Sequence, residues 1–176
     1  MEPIPGTEES YMKLALEQAS RAAQAGEVPV GAVIVCEGQV ISAACNLRES
    51  EKCALCHAEL DAIRAACKTL GGWRLHKCDL YVTLEPCPMC AGAIVNARIK
   101  RVIYGAADEK AGAFGSVLNL NDFPLNPKPE ILSGVCEAES RALLQTFFLS
   151  LREKRKTQKQ NLPLSKEGVQ EESGHE

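Results

Sequence analysis

The sequence predicts a three-layer α/β/α sandwich built around a mixed sheet of about five strands. Stretches with strand and helix periodicity alternate along the chain, and a short turn joins the first two strands. The length of 176 residues suits one domain, and an apolar fraction of 45% is enough for a core without disulfides. We expect residues 1–156 to form the folded domain and the polar tail at 157–176 to be disordered.

The first part of the chain is predicted to hold a helix followed by a hairpin. Apolar residues at helical spacing predict a helix over Glu8–Ala25. Apolar, β-branched runs predict strands at Val30–Cys36 and Gln39–Cys45, and Glu37-Gly38 between them is typical of a tight turn. These two strands are therefore expected to be antiparallel, and the polar segment Asn46–Cys56 after them to be a loop.

The remainder of the chain alternates helices and strands. Three kinds of signal define the boundaries of these elements: a Gly-Gly pair after a stretch of helical composition, a proline in a first helical turn, and short apolar runs. In chain order the predicted elements are a helix over His57–Leu70, a strand over Asp79–Leu84, a helix over Met89–Arg98, a strand over Arg101–Tyr104, a strand over Glu130–Gly134 and a helix over Cys136–Lys156. Strand–helix–strand units favour parallel neighbours, so the later strands are expected to be parallel.

Composition excludes a membrane protein and points to the cytoplasm. No apolar run approaches the roughly 18 to 20 residues that span a bilayer, and Met1–Ser10 lacks the basic and apolar regions of a secretory signal. We therefore predict a cytoplasmic protein with no membrane partner. In that reducing compartment, clustered cysteines among the nine present more often bind metal than pair as disulfides.

Charge is unevenly distributed along the chain. The net charge of −3 hides a basic cluster near the end of the last predicted helix, made of Arg152, Lys154, Arg155, Lys156 and Lys159. Such a cluster binds phosphate groups in some proteins and is simply a solvated helix end in others. Charge alone favours the solvated helix end.

Two short segments combine metal-ligating residues with predicted helix starts. Cys87 and Cys90 are three residues apart in the first turn of a helix, so both thiolates face one point. His57 supplies a third ligand from the start of the preceding helix. Three nitrogen and sulfur ligands with an open fourth position are typical of a catalytic zinc site, and we predict one Zn²⁺ per subunit.

The carboxylate of Glu59 is predicted to move protons at this metal. It lies two positions after His57 in sequence, so the two side chains are not forced to the same ligand point. A carboxylate beside the metal takes a proton from the zinc-activated water and returns it to a departing amine. The pattern H-x-E followed by P-C-x-x-C is the signature of zinc-dependent nucleobase deaminases.

A second C-x-x-C offers an alternative metal site. Cys53 and Cys56 could join Cys87 and Cys90 in a closed, structural zinc site without chemistry. The gap between the two pairs is longer than the usual ribbon spacing, and His57 and Glu59 would then have no role. A thioredoxin-like redox pair is disfavoured because the C-x-x-C at Cys87 lies mid-chain rather than after a first strand.

Over Tyr11–Arg155 the chain resembles the cytidine and deoxycytidylate deaminase superfamily, and more narrowly the bacterial tRNA-specific adenosine deaminases. The zinc motif is shared across the superfamily, whereas the first and last of the stretches below favour the tRNA enzymes. The stretches that carry the resemblance are Glu27–Ala32, His57–Glu59, Tyr81–Ala93 and Asp108–Ser116. Cys56 and Phe114 depart from the family pattern, which has a small hydroxyl residue and a smaller side chain there.

The resemblance implies a cytidine-deaminase-like fold and hydrolytic deamination of adenosine to inosine at the wobble position of an arginine tRNA anticodon. It also implies a homodimer, with the tRNA anticodon stem-loop as its substrate partner. By the same resemblance the substrate-binding residues are Val28 and Pro29 in the pocket wall, Asn46 and the Ala58 amide on the purine, Asp108 on a neighbouring ribose, Phe147 and Phe148 at the anticodon pocket, and Arg152 and Arg155 on RNA phosphate.

Two other functions remain open from the sequence. One is a deaminase of a free base or nucleoside, guanine or cytidine, which would need neither Asp108 nor the basic last helix. The other is a non-catalytic zinc-stabilised subunit that binds RNA. Such a subunit is expected to lose its proton shuttle, and Glu59 is present. For Phe147-Phe148, an ordinary core pair is the alternative to a substrate contact.

Overall fold

The computed structural model describes residues 6–160, with side chains to residue 158. It confirms the predicted fold class: a mixed sheet of five strands lies between two layers of helices. The elements are α1 (Glu8–Gln24), β1 (Gly31–Cys36), β2 (Gln39–Cys45), α2 (Ala58–Leu70), β3 (Cys78–Leu84), α3 (Pro88–Ala97), β4 (Arg101–Ala106), a 3-10 helix (Leu120–Asp122), β5 (Glu130–Ser133) and α4 (Glu137–Gln160).

The strand order in the sheet is β2-β1-β3-β4-β5. The predicted hairpin is antiparallel, since β1 pairs antiparallel with β2. β1 also pairs antiparallel with β3, while β3 with β4 and β4 with β5 are parallel as expected. The start of β1 and the ends of β2, β3 and β4 therefore all lie at one edge of the sheet.

Each face of the sheet carries its own hydrophobic core because side chains alternate along a strand. Ala32 and Ile34 of β1 face the core shared with α2 and α3. Val33 and Val35 face the opposite core, shared with α1, where Met12 is fully buried. α4 also lies on the α1 face, where it packs on β4.

Close packing of α1 on β1 depends on one glycine. A Cβ built at Gly31 would lie 2.1 Å from the carbonyl oxygen of Ala15, which is far inside contact distance. The helix backbone can therefore approach this strand only where no side chain intervenes. α1 therefore packs directly on the backbone at the start of β1.

Most element boundaries lie within one residue of those predicted, and the larger differences are in β4 and α4. β4 extends to Ala106 because that residue still pairs with Leu84 of β3. Cys136 lies outside α4 because its φ of 52° is left-handed and incompatible with the helix. α4 runs past the predicted end at Lys156 to Gln160, so residues 157–160, assigned to the tail from sequence, are helical. Residues 161–176 of that tail lie outside the described residues.

No helix within residues 6–160 is both long enough and apolar enough to cross a bilayer. The longest helix, α4, carries charged residues along its length, among them Arg141, Arg152 and Arg155.

Candidate active site

The shared sheet edge brings together segments that are distant in sequence. Cys45 ends β2 and Leu84 ends β3, so the residues that follow them begin at the same edge. The helix starts of α2 and α3 come next in each segment. In α/β folds ligands bind outside the carboxyl ends of the strands, and the predicted metal ligands lie at this edge.

His57, Cys87 and Cys90 lie close enough together to hold one metal ion. The Sγ atoms of Cys87 and Cys90 lie 3.8 Å and 3.5 Å from Nδ1 of His57. The ligand atoms of all three residues lie within 4.8 Å of one another. Among the described residues, this is the only such group of three or more His, Cys, Asp or Glu side chains.

Helix starts position these three side chains. His57 is the N-cap of α2, and Cys87 is the N-cap of α3 with Pro88 in the first turn. Both caps have extended backbone, which directs the side chains out from the helix ends. The pKa of the Cys87 thiol is lowered, chiefly by its hydrogen bond with Cys90, so a thiolate is available as a ligand.

Glu59 is buried beside this group without belonging to it. Only 4% of its surface is exposed, and it lies in the first turn of α2. Burial raises the pKa of its carboxyl above the ordinary value. A carboxyl group whose pKa is raised in this way holds and releases a proton nearer to neutral pH.

The four-cysteine alternative is not formed. Neither Cys53 nor Cys56 belongs to the group made by His57, Cys87 and Cys90. Both lie in the loop before α2, and the main-chain amide of Cys56 donates to the carbonyl of Cys53 across a turn, at 3.2 Å. That turn is local, so it does not bring this pair to the start of α3.

A cavity of about 460 Å³ opens over His57, Cys87 and Glu59, while Cys90 is buried and does not line it. His57, Glu59 and Cys87 line it, and Leu144 and Phe148 of α4 form part of its wall. The cavity therefore joins the metal-ligating group to a concave surface large enough to admit a ligand.

Comparison with known proteins decides the family. Residues 7–152 match the MafB19-like deaminase family. The chain belongs to this deaminase family. It is 49% identical over 156 residues to the tRNA-specific adenosine deaminase of Bacillus subtilis (strain 168), which covers 88% of this chain and 97% of the relative.

Two solved structures are also similar to this deaminase. One comes from biochemical and structural studies of A-to-I editing by tRNA:A34 deaminases at the wobble position of transfer RNA. It is 46% identical, with a TM-score of 0.74, covering 76% of this chain and 98% of that one. The other is a guanine deaminase from Bacillus subtilis, 34% identical with a TM-score of 0.55, covering 68% of this chain and 87% of that one.

The cavity of the deaminase contains four of the residues expected to bind substrate. Val28, Asn46, Asp108 and Phe148 line it. The other five do not: Pro29, Ala58, Phe147, Arg152 and Arg155 are absent from its wall. Pro29 and Ala58 are buried, and Arg152 and Arg155 are exposed farther along α4.

Phe147 and Phe148 play different parts in the packing. Their rings meet edge to face, with centroids 5.5 Å apart and an interplanar angle of 76°. Phe148 is 43% exposed and lines the cavity, which does not fit a core residue. Phe147 is half-buried and does not line the cavity. One ring thus faces the cavity, and the other contacts that ring from outside the cavity wall.

Two buried carboxylates hold the loops of the cavity, and neither was assigned a role from sequence. Glu27 is fully buried and accepts hydrogen bonds from the main-chain amide of Ser50, at 2.6 Å, and from Nδ2 of Asn46, at 3.3 Å. Glu85 holds the segment after β4 in a similar way. The sequence signal was a charged residue inside or beside an apolar run, which is stable there only if it is well hydrogen-bonded.

Three cations near the cavity were also missed. Arg48, Lys110 and Arg141 line it, on the loop after β2, the loop after β4 and α4 respectively. Arg141 pairs with Glu137 at 2.7 Å. The three residues are far apart in sequence, so only the fold places their charges around one opening.

Proposed function

We propose that this chain is a zinc-dependent hydrolase that converts adenosine to inosine at the wobble position of a tRNA anticodon, with an arginine tRNA as its substrate. The observation that carries the proposal is the group of His57, Cys87 and Cys90 at a cavity that also contains Glu59. The tRNA-specific adenosine deaminases among its relatives support the choice of substrate.

The donor set suits zinc. Two thiols and one imidazole within 4.8 Å of one another match the nitrogen and sulfur ligands that zinc prefers. We propose one Zn²⁺ per subunit, held by His57, Cys87 and Cys90. Zinc bound by three protein ligands supplies a Lewis acid that lowers the pKa of water to about 7.

Glu59 is the proton carrier in this proposal. Deamination replaces the amino group at C6 of the purine with oxygen from water and releases ammonia. The carboxylate of Glu59 takes a proton from the attacking water and gives it to the leaving amino group. Its burial and raised pKa suit both steps, since a group that must accept and return a proton works best near the operating pH.

The cavity wall orients the base in this proposal. Val28 and Pro29 shape the pocket, while Asn46 and the main-chain amide of Ala58 hold the purine. Ala58 is the first residue of α2, where helix amides have no partner within the helix. The hydrogen bond from Asn46 Nδ2 to Glu27 orients the amide group and leaves its oxygen for a ligand.

Contacts to the rest of the anticodon loop come from the cavity wall and from α4 beyond it. We propose that Asp108 contacts a neighbouring ribose, that Phe147 and Phe148 shape the anticodon pocket, and that Arg152 and Arg155 meet RNA phosphate. A base within a stacked loop must be splayed out before it enters such a cavity. Aromatic faces such as that of Phe148 are sites on which unstacked bases stack.

A deaminase of free guanine is the second candidate, favoured by the similarity to the guanine deaminase structure. The cations Arg48, Lys110 and Arg141 at the cavity favour tRNA instead, because a free base has no phosphate to contact.

The test is inosine formation in a synthetic arginine anticodon stem-loop with adenosine at the wobble position. Free guanine, adenosine and cytidine are assayed with the same zinc-loaded enzyme. We expect product only from the stem-loop. Turnover of free guanine with an unchanged stem-loop would assign the protein to the small-molecule deaminases, and no turnover of any substrate would favour a binding role.

We further propose that the enzyme acts as a cytoplasmic homodimer and that residues 1–156 are its deaminase domain. Sedimentation at micromolar concentration should give twice the chain mass. Deletion of residues 161–176 should leave the melting temperature unchanged, given their polar composition. A monomer, or a large fall in melting temperature, would contradict the corresponding part.

A further inference from the structure

Glu85 lies between the end of β3 and the metal-ligating turn and is 2% exposed. Its carboxylate accepts hydrogen bonds from three main-chain amides: Phe114 at 2.9 Å, Ser116 at 3.1 Å and Asp108 at 3.1 Å. The hydroxyl of Ser116 donates a fourth. All four donors belong to one segment, residues 108–116.

The carboxylate is matched to its surroundings only when it is ionised. All four hydrogen bonds to the Glu85 carboxylate come from N–H or O–H donors. An ionised carboxylate is purely an acceptor, and it is surrounded by donors. A protonated carboxyl or an amide would point a hydrogen at one of them.

The segment packs directly on this carboxylate. A Cβ built at Gly112 would lie 2.3 Å from Oε2 of Glu85, so no other residue fits without displacing one of the two. The amide of Gly112 donates to the carbonyl of Asp108 at 2.8 Å, which closes a turn around the carboxylate. Oδ1 of Asp108 accepts in turn from the amides of Lys110 and Ala111.

We propose that Glu85 is a positioning residue that fixes residues 108–116 against the metal-ligating turn and so sets where Asp108 stands in the cavity. The main chain of Glu85 is two residues from Cys87, while its side chain holds the opposite segment. The inference rests on the proposed function, because the position of Asp108 affects substrate binding only if Asp108 contacts the RNA.

The first arm of the test does not depend on substrate. Glu85→Gln replaces one acceptor oxygen by a donor, and amide hydrogen exchange is followed in the zinc-loaded enzyme. We expect exchange in residues 108–116 to accelerate while that in β1 and β3 is unchanged, with zinc still at one per chain. If the amides of residues 108–116 remained as protected from exchange as in wild type, the proposal would be overturned, whatever the deaminase activity of the variant.

Glu8→Gln is the matched control for a loss of stability. Glu8 also accepts hydrogen bonds from side chains, those of Tyr81 and Arg101, but it is not among the residues that line the cavity. If the melting temperature of Glu8→Gln falls as much as that of Glu85→Gln, a difference in KM between the two variants reports the position of residues 108–116 and not a general loss of stability.

The second arm separates binding from chemistry on the anticodon stem-loop. We expect Glu85→Gln to raise KM by about ten- to a hundredfold and to change kcat less, because Glu59 and the metal ligands stay in place. Glu8→Gln should keep both near wild type. Faster amide exchange in residues 108–116 with an unchanged KM would show that Glu85 has a structural role only, and would overturn the positioning role.

Two further variants test the same contact from the side of residues 108–116, and Ser116→Ala is the milder one. Ser116→Ala removes a single donor and should shift exchange and KM in the same direction by less. Gly112→Ala should mimic Glu85→Gln, and the double variant should be no worse than either single one, since both disrupt the same contact. Additive effects would show that the two residues act separately.

A wild-type enzyme that neither binds nor edits the stem-loop would refute the proposed function. The hydrogen-exchange measurement would still decide whether Glu85 fixes residues 108–116.

Discussion

The Sγ atom of Cys90 lies 3.5 Å from Nδ1 of His57, although the residues are 33 positions apart in the chain. The first turn of α3 provides one and the N-cap of α2 the other. Two helix starts at one sheet edge therefore build the metal-ligating group.

The choice between the two C-x-x-C pairs predicts a difference in metal content. Cys87→Ser should reduce zinc from about one per chain to near zero, because it removes one of only three protein ligands. Cys53→Ser should keep zinc and activity near normal, since Cys53 lies outside the group. Metal analysis of the purified variants measures both, and a zinc-free Cys53→Ser protein would revive the four-cysteine site.

The two buried carboxylates predict that acid destabilises the protein. The folded-state pKa values of Glu27 and Glu85 are lowered, so their stabilisation is full above the unfolded pKa of about 4.3. It is lost as pH falls through the folded-state values. The free energy of unfolding in urea should drop below about pH 4.3, and less steeply in Glu85→Gln. The exposed control Glu153→Gln should show the same dependence of unfolding free energy on pH as wild type. If that free energy fell equally steeply with pH in wild type and in Glu85→Gln, the prediction would be contradicted.

The aromatic pair on α4 predicts unequal effects on substrate. Phe148→Ala removes the ring that lines the cavity and should raise KM for the stem-loop about tenfold, the worth of stacking one base on an aromatic ring. Phe147→Ala should mainly lower the melting temperature, because this ring is half-buried, packs on the other ring and does not line the cavity. Steady-state kinetics and thermal unfolding separate the two effects, and a larger KM change for Phe147→Ala would reverse the assignment.

Cations at the cavity and on α4 predict a salt-dependent affinity. Removal of one cation that binds an RNA phosphate should flatten the plot of log affinity against log salt concentration by about 0.7 for a single strand. Arg48→Ala, at the cavity, and Arg152→Ala, on α4, should each show this change. Lys77→Ala is the control, because Lys77 pairs with Glu37 of the hairpin turn, at the opposite edge of the sheet. An equal change for Lys77→Ala would indicate a nonspecific charge effect.

The local parts of this architecture were predictable from sequence and the long-range parts were not. Strand and helix periods predicted the elements, and the P-C-x-x-C spacing predicted the pairing of Cys87 with Cys90, because both are set within a few residues. The pairing of β3 with β1 depends on sheet topology, which local patterns do not encode. The role of Glu85 depends on donors 23 to 31 residues away, so it appears only in the folded chain.

The most direct test of the central claim is single-turnover inosine formation in the arginine anticodon stem-loop, with zinc measured on the same samples. Wild type and Glu59→Gln are compared, each loaded with zinc. We predict one zinc per chain in both, inosine from wild type, and a rate for Glu59→Gln that is lower by about two to four orders of magnitude. Equal rates, or loss of zinc from Glu59→Gln, would contradict the assignment of Glu59 as the proton carrier beside the metal.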